Sequence, residues 1–217
     1  MRPLQPPRGT SPSGKLCPRL ILEGTRLTGK TELAFAMQED PRFVGARKYR
    51  YHTPLISAEW GGLTDTPWGE SLLSFGPEAR PVAEAAWHAW LTLFESLRYE
   101  AWFVDRFHLS MRCEQERART WDSDLESLYA EIDARLAAAG FSVVLSVRTE
   151  SEFEAARTER LKISGNPSQY DDLSVFIREQ TRLRELASAS AMPVLEVNAS
   201  DQAGSVDQIA KWLGLDS

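Results

Sequence analysis

Eight consecutive residues, Gly24-Thr25-Arg26-Leu27-Thr28-Gly29-Lys30-Thr31, fit the pattern G-x-x-x-x-G-K-[ST]. Each position in that pattern has a physical reason. Glycine lets a backbone curl until its amides point at one anion. A helix opening near Lys30 adds the positive end of its dipole at the same spot. The lysine ammonium is a mobile charge for β- and γ-phosphates, and the Thr31 hydroxyl suits Mg2+. The chemistry implied is the holding of ATP with magnesium, with Gly24 to Thr31 as the cradle. An apolar run, Ala101-Trp102-Phe103-Val104, ends at Asp105, which supplies the carboxylate such a site uses for the metal, directly or through water. Arg106 beside it can meet charge on a phosphoryl group in transit.

The positioning elements follow from hydrophobic period. Arg19–Glu23 is an apolar strand before the loop, and the helical pattern Thr31-Glu32-Leu33-Ala34-Phe35-Ala36-Met37 comes after it. A second strand is predicted within Tyr49–Ser57, and a helix from Pro81 to about Tyr99 with the apolar stripe Val82, Ala86, Ala89, Leu93 and Leu97. The strand to Asp105 is followed by a helical region to about Ala139, broken near Asp122 and closed by Gly140. Phe141–Val147 is a strand, Ser151–Lys162 a charged helix, Ser164–Pro167 a turn and Leu173–Ala189 a helix. A last strand starts at Pro193, and Val206–Leu213 closes the chain as a helix. Alternating strands and helices imply an α/β fold, a parallel sheet covered on both faces. Ligands of such sheets bind at the carboxyl ends of strands, which places Glu23, Glu59, Asp105 and Arg148 near one rim.

The start of the loop at Leu22-Glu23-Gly24, together with Asp105-Arg106-Phe107-His108-Leu109-Ser110, resembles the thymidylate kinase and deoxynucleoside kinase group of P-loop kinases. Ser57-Ala58-Glu59-Trp60-Gly61-Gly62 stands where that group carries T-R-E-P-G-G. The resemblance covers residues 16–217 and implies a three-layer P-loop kinase domain with a small helical lid at about 149–168. It implies a kinase that moves the γ-phosphoryl group of Mg·ATP to a hydroxyl or phosphate of a nucleoside, nucleotide or related small metabolite. On that reading Lys30, Asp105, Arg106 and the lid residues Arg157 and Arg160 are catalytic, with Thr31 and Asp105 at the metal. Lys162 is a weaker lid candidate. Glu59 acts as base or acceptor ligand, and Trp60, Trp68, Phe107 and His108 are acceptor contacts. Two departures alter the acceptor side. Ala58 replaces an arginine that clamps the acceptor phosphate in thymidylate kinases, and Arg26 replaces an acidic residue that meets the sugar. The loss of one clamp with Glu59 kept favours a free hydroxyl, whereas Arg26 in place of the lost arginine would keep a phosphorylated acceptor; both remain open here. The resemblance also implies a homodimer built from long helices.

Composition bounds the alternatives. The 217 residues are 42% hydrophobic and 26% charged, ordinary for one globular domain. Residues 1–15, with Pro3, Pro6, Pro7 and Pro12, offer too little apolar surface to offset ordering and read as a mobile tail. A net charge of −6 argues against a nucleic-acid partner. Two cysteines, Cys17 and Cys113, make no disulfide framework or zinc site, and His52, His88 and His108 show no metal spacing. No run is long and apolar enough for a membrane span or signal peptide, so a cytoplasmic protein without membrane contact is expected. Two other functions fit less well: a nucleotide-dependent NTPase or regulatory switch, and a kinase of a nucleobase or sugar group within nucleic acid. Against the switch, no N-K-x-D guanine signature is present.

Overall fold

A sheet whose three central strands are buried throughout organises the molecule. The computed structural model describes residues 17–44, 55–59, 70–97 and 100–215. Its five strands are β1 (Arg19–Glu23), β2 (Leu55–Ser57), β3 (Trp102–Asp105), β4 (Ser142–Val147) and β5 (Val194–Asn198). All pair in parallel, in the order β2-β3-β1-β4-β5. Alternate residues of the central strands enter opposite layers. Leu20, Leu22, Phe103 and Val144 pack with α1 (Lys30–Glu39) and α8 (Gln202–Leu213), among them Leu33, Met37 and Ile209. Ile21, Val104, Val143 and Leu145 pack on the other face with α3 (Arg80–Ser96), α4 (His108–Ala118), α5 (Ser123–Ala138) and α7 (Leu173–Ala189). This is a three-layer α/β fold, with helices on both faces of a parallel sheet. Among the described residues, no helix is long and apolar enough to cross a membrane.

Most predicted elements occur within a few residues of their expected ends. The break near Asp122 is a helix start: the Asp122 carboxylate accepts from the amides of Asp124 and Leu125. Thr149 opens α6 (Glu150–Leu161) with a reciprocal Thr149–Glu152 capping box. The structure adds α2 (Pro41–Val44) and a 3-10 turn at Pro167–Tyr170. Strand β2 lies within the predicted span, of which residues 49–54 are outside the described residues. The 1–15 tail, Tyr49, Tyr51, His52, Trp60, Gly61, Gly62, Trp68 and Tyr99 lie outside the described residues.

The stripe predicted to bury α3 is corrected. Val82, Leu93 and Leu97 are exposed (54%, 42% and 42%), and the helix instead buries Ala83, Trp87, Leu91 and Phe94. Both stripes have helical period, and the larger side chains take the core. Trp87 packs edge-on against Phe107 at 4.4 Å between ring centroids. The substitution Trp87→Ala is expected to cost about 3–5 kcal/mol, and Leu93→Ala less than about 0.5 kcal/mol. Urea denaturation of the two variants measures the difference.

Candidate functional site

The loop 24–31 runs from the end of β1 to the start of α1. A side chain at Gly24 is excluded, since its Cβ would stand 2.6 Å from the Ser146 carbonyl oxygen, and φ there is 149°. Leu27 and Gly29 turn through the left-handed region, with φ 68° and 61°. Several loop carbonyls are taken by the protein. The Thr25 carbonyl accepts from the Thr28 hydroxyl at 2.7 Å and from Lys30 Nζ at 3.0 Å. The Leu27 carbonyl accepts from Arg148 Nε at 2.6 Å, and the Thr28 carbonyl from the Ser146 hydroxyl at 2.9 Å. The first intrahelical bond of α1 runs from Leu33 N to the Gly29 carbonyl, so the amides of Lys30 to Glu32 are left over. The loop therefore offers a ligand donors rather than acceptors, the requirement for binding an anion.

Asp105 ends β3 beside the loop. Its Oδ2 accepts from the Thr31 hydroxyl at 2.7 Å, and its Oδ1 is buried without a partner. That orphan oxygen and the Thr31 hydroxyl are a hard-oxygen donor set of the kind Mg2+ takes, the remaining positions going to water and phosphate. Among the described residues no cluster of His, Cys, Asp and Glu could hold a metal by itself, so the pair fits only a metal that arrives with a phosphate ligand. Burial pushes the Lys30 ammonium below its ordinary value, opposed by Asp105.

A pocket of about 1050 Å³ opens over the loop. It is lined by Arg26 to Thr31, Glu59, Asp105, Arg148, Arg160, Tyr170, Ala199 and Ser200, among others. Three of its cations, Lys30, Arg148 and Arg160, have no carboxylate partner among the described residues. Arg148 binds the Leu27 and Ala199 carbonyls and the Ser200 hydroxyl, and Arg160 Nε donates to the Tyr170 hydroxyl at 3.2 Å. Of the expected lid pair, Arg160 faces this pocket; Arg157 lies 3.7 Å from Asp171 instead. Lys162 lines the pocket but pairs with Glu159 at 2.6 Å.

Arg106 follows β3 with φ 57° and is 2% exposed. Three carboxylates surround it: Glu179 at 3.0 Å, Glu114 at 3.2 Å and Glu59 at 3.4 Å. Burial lowers its pKa, but these groups, with Glu23, outweigh that and raise it. Glu23, fully buried, is bound locally: it accepts from the amides of Phe107 at 3.0 Å and Ser110 at 3.3 Å and from the Ser110 hydroxyl, satisfying the first turn of α4. Glu59 accepts from Arg106 and from Arg26 (3.3 Å), both on Oε1. Its Oε2 has no partner among the described residues. Burial pushes the Glu59 carboxyl up, yet Arg106, Lys30 and Arg26 together hold it below its ordinary value.

Phe107 and His108, expected as acceptor contacts, are placed in the core instead. Phe107 stacks with Trp90 at 5.5 Å, and His108 Nε2 lies 3.1 Å from Asp133. Cys113 is a buried helix residue, as expected, and burial pushes its thiol up. Sequence reasoning missed Glu114, Glu179 and the structural part played by Arg148. Glu114 had a signal, since it stands four residues after Ser110 on one face of α4; Glu179 had none.

No protein-family model matches the chain, and no curated protein matches it. Among solved structures, it is similar to the crystal structure of a candidate kinase from Chloroflexus aurantiacus J-10-fl. The two are 17% identical with a TM-score of 0.43, over 91% of this chain and 97% of that chain.

Arg106→Ala would strand three carboxylates around an uncharged side chain. A loss of about 3–5 kcal/mol is expected, read as a lower urea midpoint at pH 7.

Proposed function

We propose that the protein is an ATP-dependent phosphotransferase that moves the γ-phosphoryl group to a free hydroxyl of a small molecule, with a nucleoside as the leading class. The observation that carries the reading is the joined loop and strand: a donor-lined cradle at 24–31, with Thr31 hydrogen-bonded to an Asp105 carboxylate whose other oxygen lacks a partner. Lys30, Arg148 and Arg160 line the pocket without a carboxylate partner among the described residues, which suits a triphosphate. Thr31 and Asp105 would hold Mg2+, which supplies charge neutralisation on the phosphate oxygens when bound.

The acceptor end differs in charge. Arg106 is already matched by three carboxylates, so it has no charge to spare for an acceptor phosphate. Ala58 adds none. A hydroxyl fits better, with Glu59 Oε2, which has no partner among the described residues, to accept its proton. In the transfer, the acceptor oxygen forms a bond to the γ-phosphorus as the bond to the bridging oxygen breaks and ADP leaves. The hydroxyl proton passes to Glu59. Arg160 and Lys30 face the charge on the phosphoryl oxygens, and the pocket wall at α6 limits water. The proposed domain is 16–217 with the lid at 149–168.

The deciding experiment incubates the protein with Mg·ATP and a panel of nucleosides, nucleoside monophosphates and hydroxylated metabolites, read by ADP release. Acceptor-stimulated release with nucleosides supports the reading; acceptor-independent hydrolysis alone indicates a switch. Lys30→Ala is expected to lower turnover at least about 100-fold. Glu59 is held below the ordinary 4.5 of its type, so it stays ionised as pH falls until its own lowered pKa is reached. Acceptor-dependent kcat/KM is therefore expected to keep its Glu59 contribution from pH 8 down to 5. Glu59→Gln is expected to lose about 100-fold or more in kcat across that range.

A further inference from the structure

Arg26 lies within the phosphate loop, yet its side chain contacts lead away from the donor. Its guanidinium is 46% exposed. Nη1 donates to Gln169 Oε1 at 2.5 Å, and Nη2 to Glu59 Oε1 at 3.3 Å. Gln169 belongs to the 3-10 turn that ends the α6 segment, and Glu59 to the stretch after β2. One side chain thus spans three parts of the site: the loop that holds the donor, the carboxylate beside the acceptor and the far end of the wall over the pocket. The residue before it extends the same network, since the Thr25 hydroxyl donates to Glu179 at 2.9 Å and Glu179 pairs with Arg106.

We infer that Arg26 is a positioning residue that couples the 164–170 turn to the Glu59 carboxylate, so that seating of the wall over a bound donor sets the orientation of the acceptor-side base. The inference deepens the phosphotransfer reading and rests on it for the chemistry, although the coupling itself is a property of the protein without acceptor. The geometry distinguishes Arg26 from Arg106. Arg106 is buried, held by three carboxylates and has no contact with the 164–170 turn. Arg26 shares a single carboxylate oxygen with Arg106 and spends its other contact on a neutral amide. A fork-shaped guanidinium can hold two oxygens in fixed directions at once; an ammonium holds them less rigidly. Among the described residues, Lys30 at the start of α1 also acts on Glu59, and Glu114 on α4 and Glu179 on α7 are linked to it through the shared Arg106. None of these bridges to the turn.

The test is a double-mutant cycle read by hydrogen–deuterium exchange of the peptide covering 164–170. It uses the full chain with Mg2+ and a non-hydrolysable ATP analogue, and no acceptor. Arg26→Ala is expected to raise exchange there about three- to tenfold, and Arg26→Lys by less. Glu59→Gln, which has no contact with the turn, is also expected to raise it, and the double variant to exceed Arg26→Ala alone by little. Calorimetry is expected to leave affinity for the analogue within about threefold of wild type in Arg26→Ala, as its contacts lie off the donor. Additive effects of the two substitutions, or no response to Glu59→Gln, would overturn the coupling. A large loss of analogue affinity in Arg26→Ala would make Arg26 a donor ligand and overturn it too. Absence of acceptor-stimulated turnover in the wild type would instead sink the phosphotransfer reading, and the exchange cycle would still decide the coupling.

Discussion

A guanidinium taken wholly out of water must be matched by negative charge, and the end of the site around Glu59 is arranged around that demand. Arg106 is matched by Glu59 from the end of β2, Glu114 from α4 and Glu179 from α7. These elements are far apart in sequence, so one buried charge pins three pieces of the fold to the end of β3. The backbone at Arg106 is left-handed, an uncommon state for a residue with a side chain, and persists because its surroundings over-determine it. The Arg106 amide and carbonyl are both used, to Leu22 and Ala58 respectively. Position and charge are thus fixed together.

The loop 24–31 follows a different rule. There the protein occupies backbone carbonyls and leaves Lys30, Arg148 and Arg160 without a carboxylate partner among the described residues. The Ser146 and Arg148 side chains, from β4 and its end, reach across to hold the loop carbonyls. The result is a contrast between neighbouring parts of the site: Lys30, Arg148 and Arg160 line the pocket over the loop without a carboxylate partner among the described residues, while the buried Arg106 behind Glu59 is balanced by three carboxylates.

The layers, the strand positions and the loop were legible because each has a local signal. Short apolar runs, buried along their whole length, mark β1, β3 and β4, and the glycine spacing marks 24–31. Asp105 at the end of an apolar run announced its own place. What local signals could not decide was which of two stripes on α3 turned inward, since Val82 to Leu97 and Ala83 to Phe94 both have helical period. Phe107 and His108 were misplaced for a related reason. The chain bends at Arg106, so the two residues after it point into the core rather than along the rim. Glu179 was invisible because its part in the site exists only through contacts made across 73 positions of sequence. Charge pairing at that range leaves no periodic trace.

Leu27 has a double attachment. Its backbone helps curl the phosphate loop, while its side chain packs with Phe153, Tyr170 and Phe176, a small apolar cluster apart from the two main layers. Any swing of α6 away from the loop must either pull that leucine along, disturbing the curl, or wet it, at a cost of about 1–2 kcal/mol. On the proposed reading the cluster would act as a latch of modest strength. In the proposed reaction, spent nucleotide would leave at a pace set by greasy contact as much as by phosphate affinity.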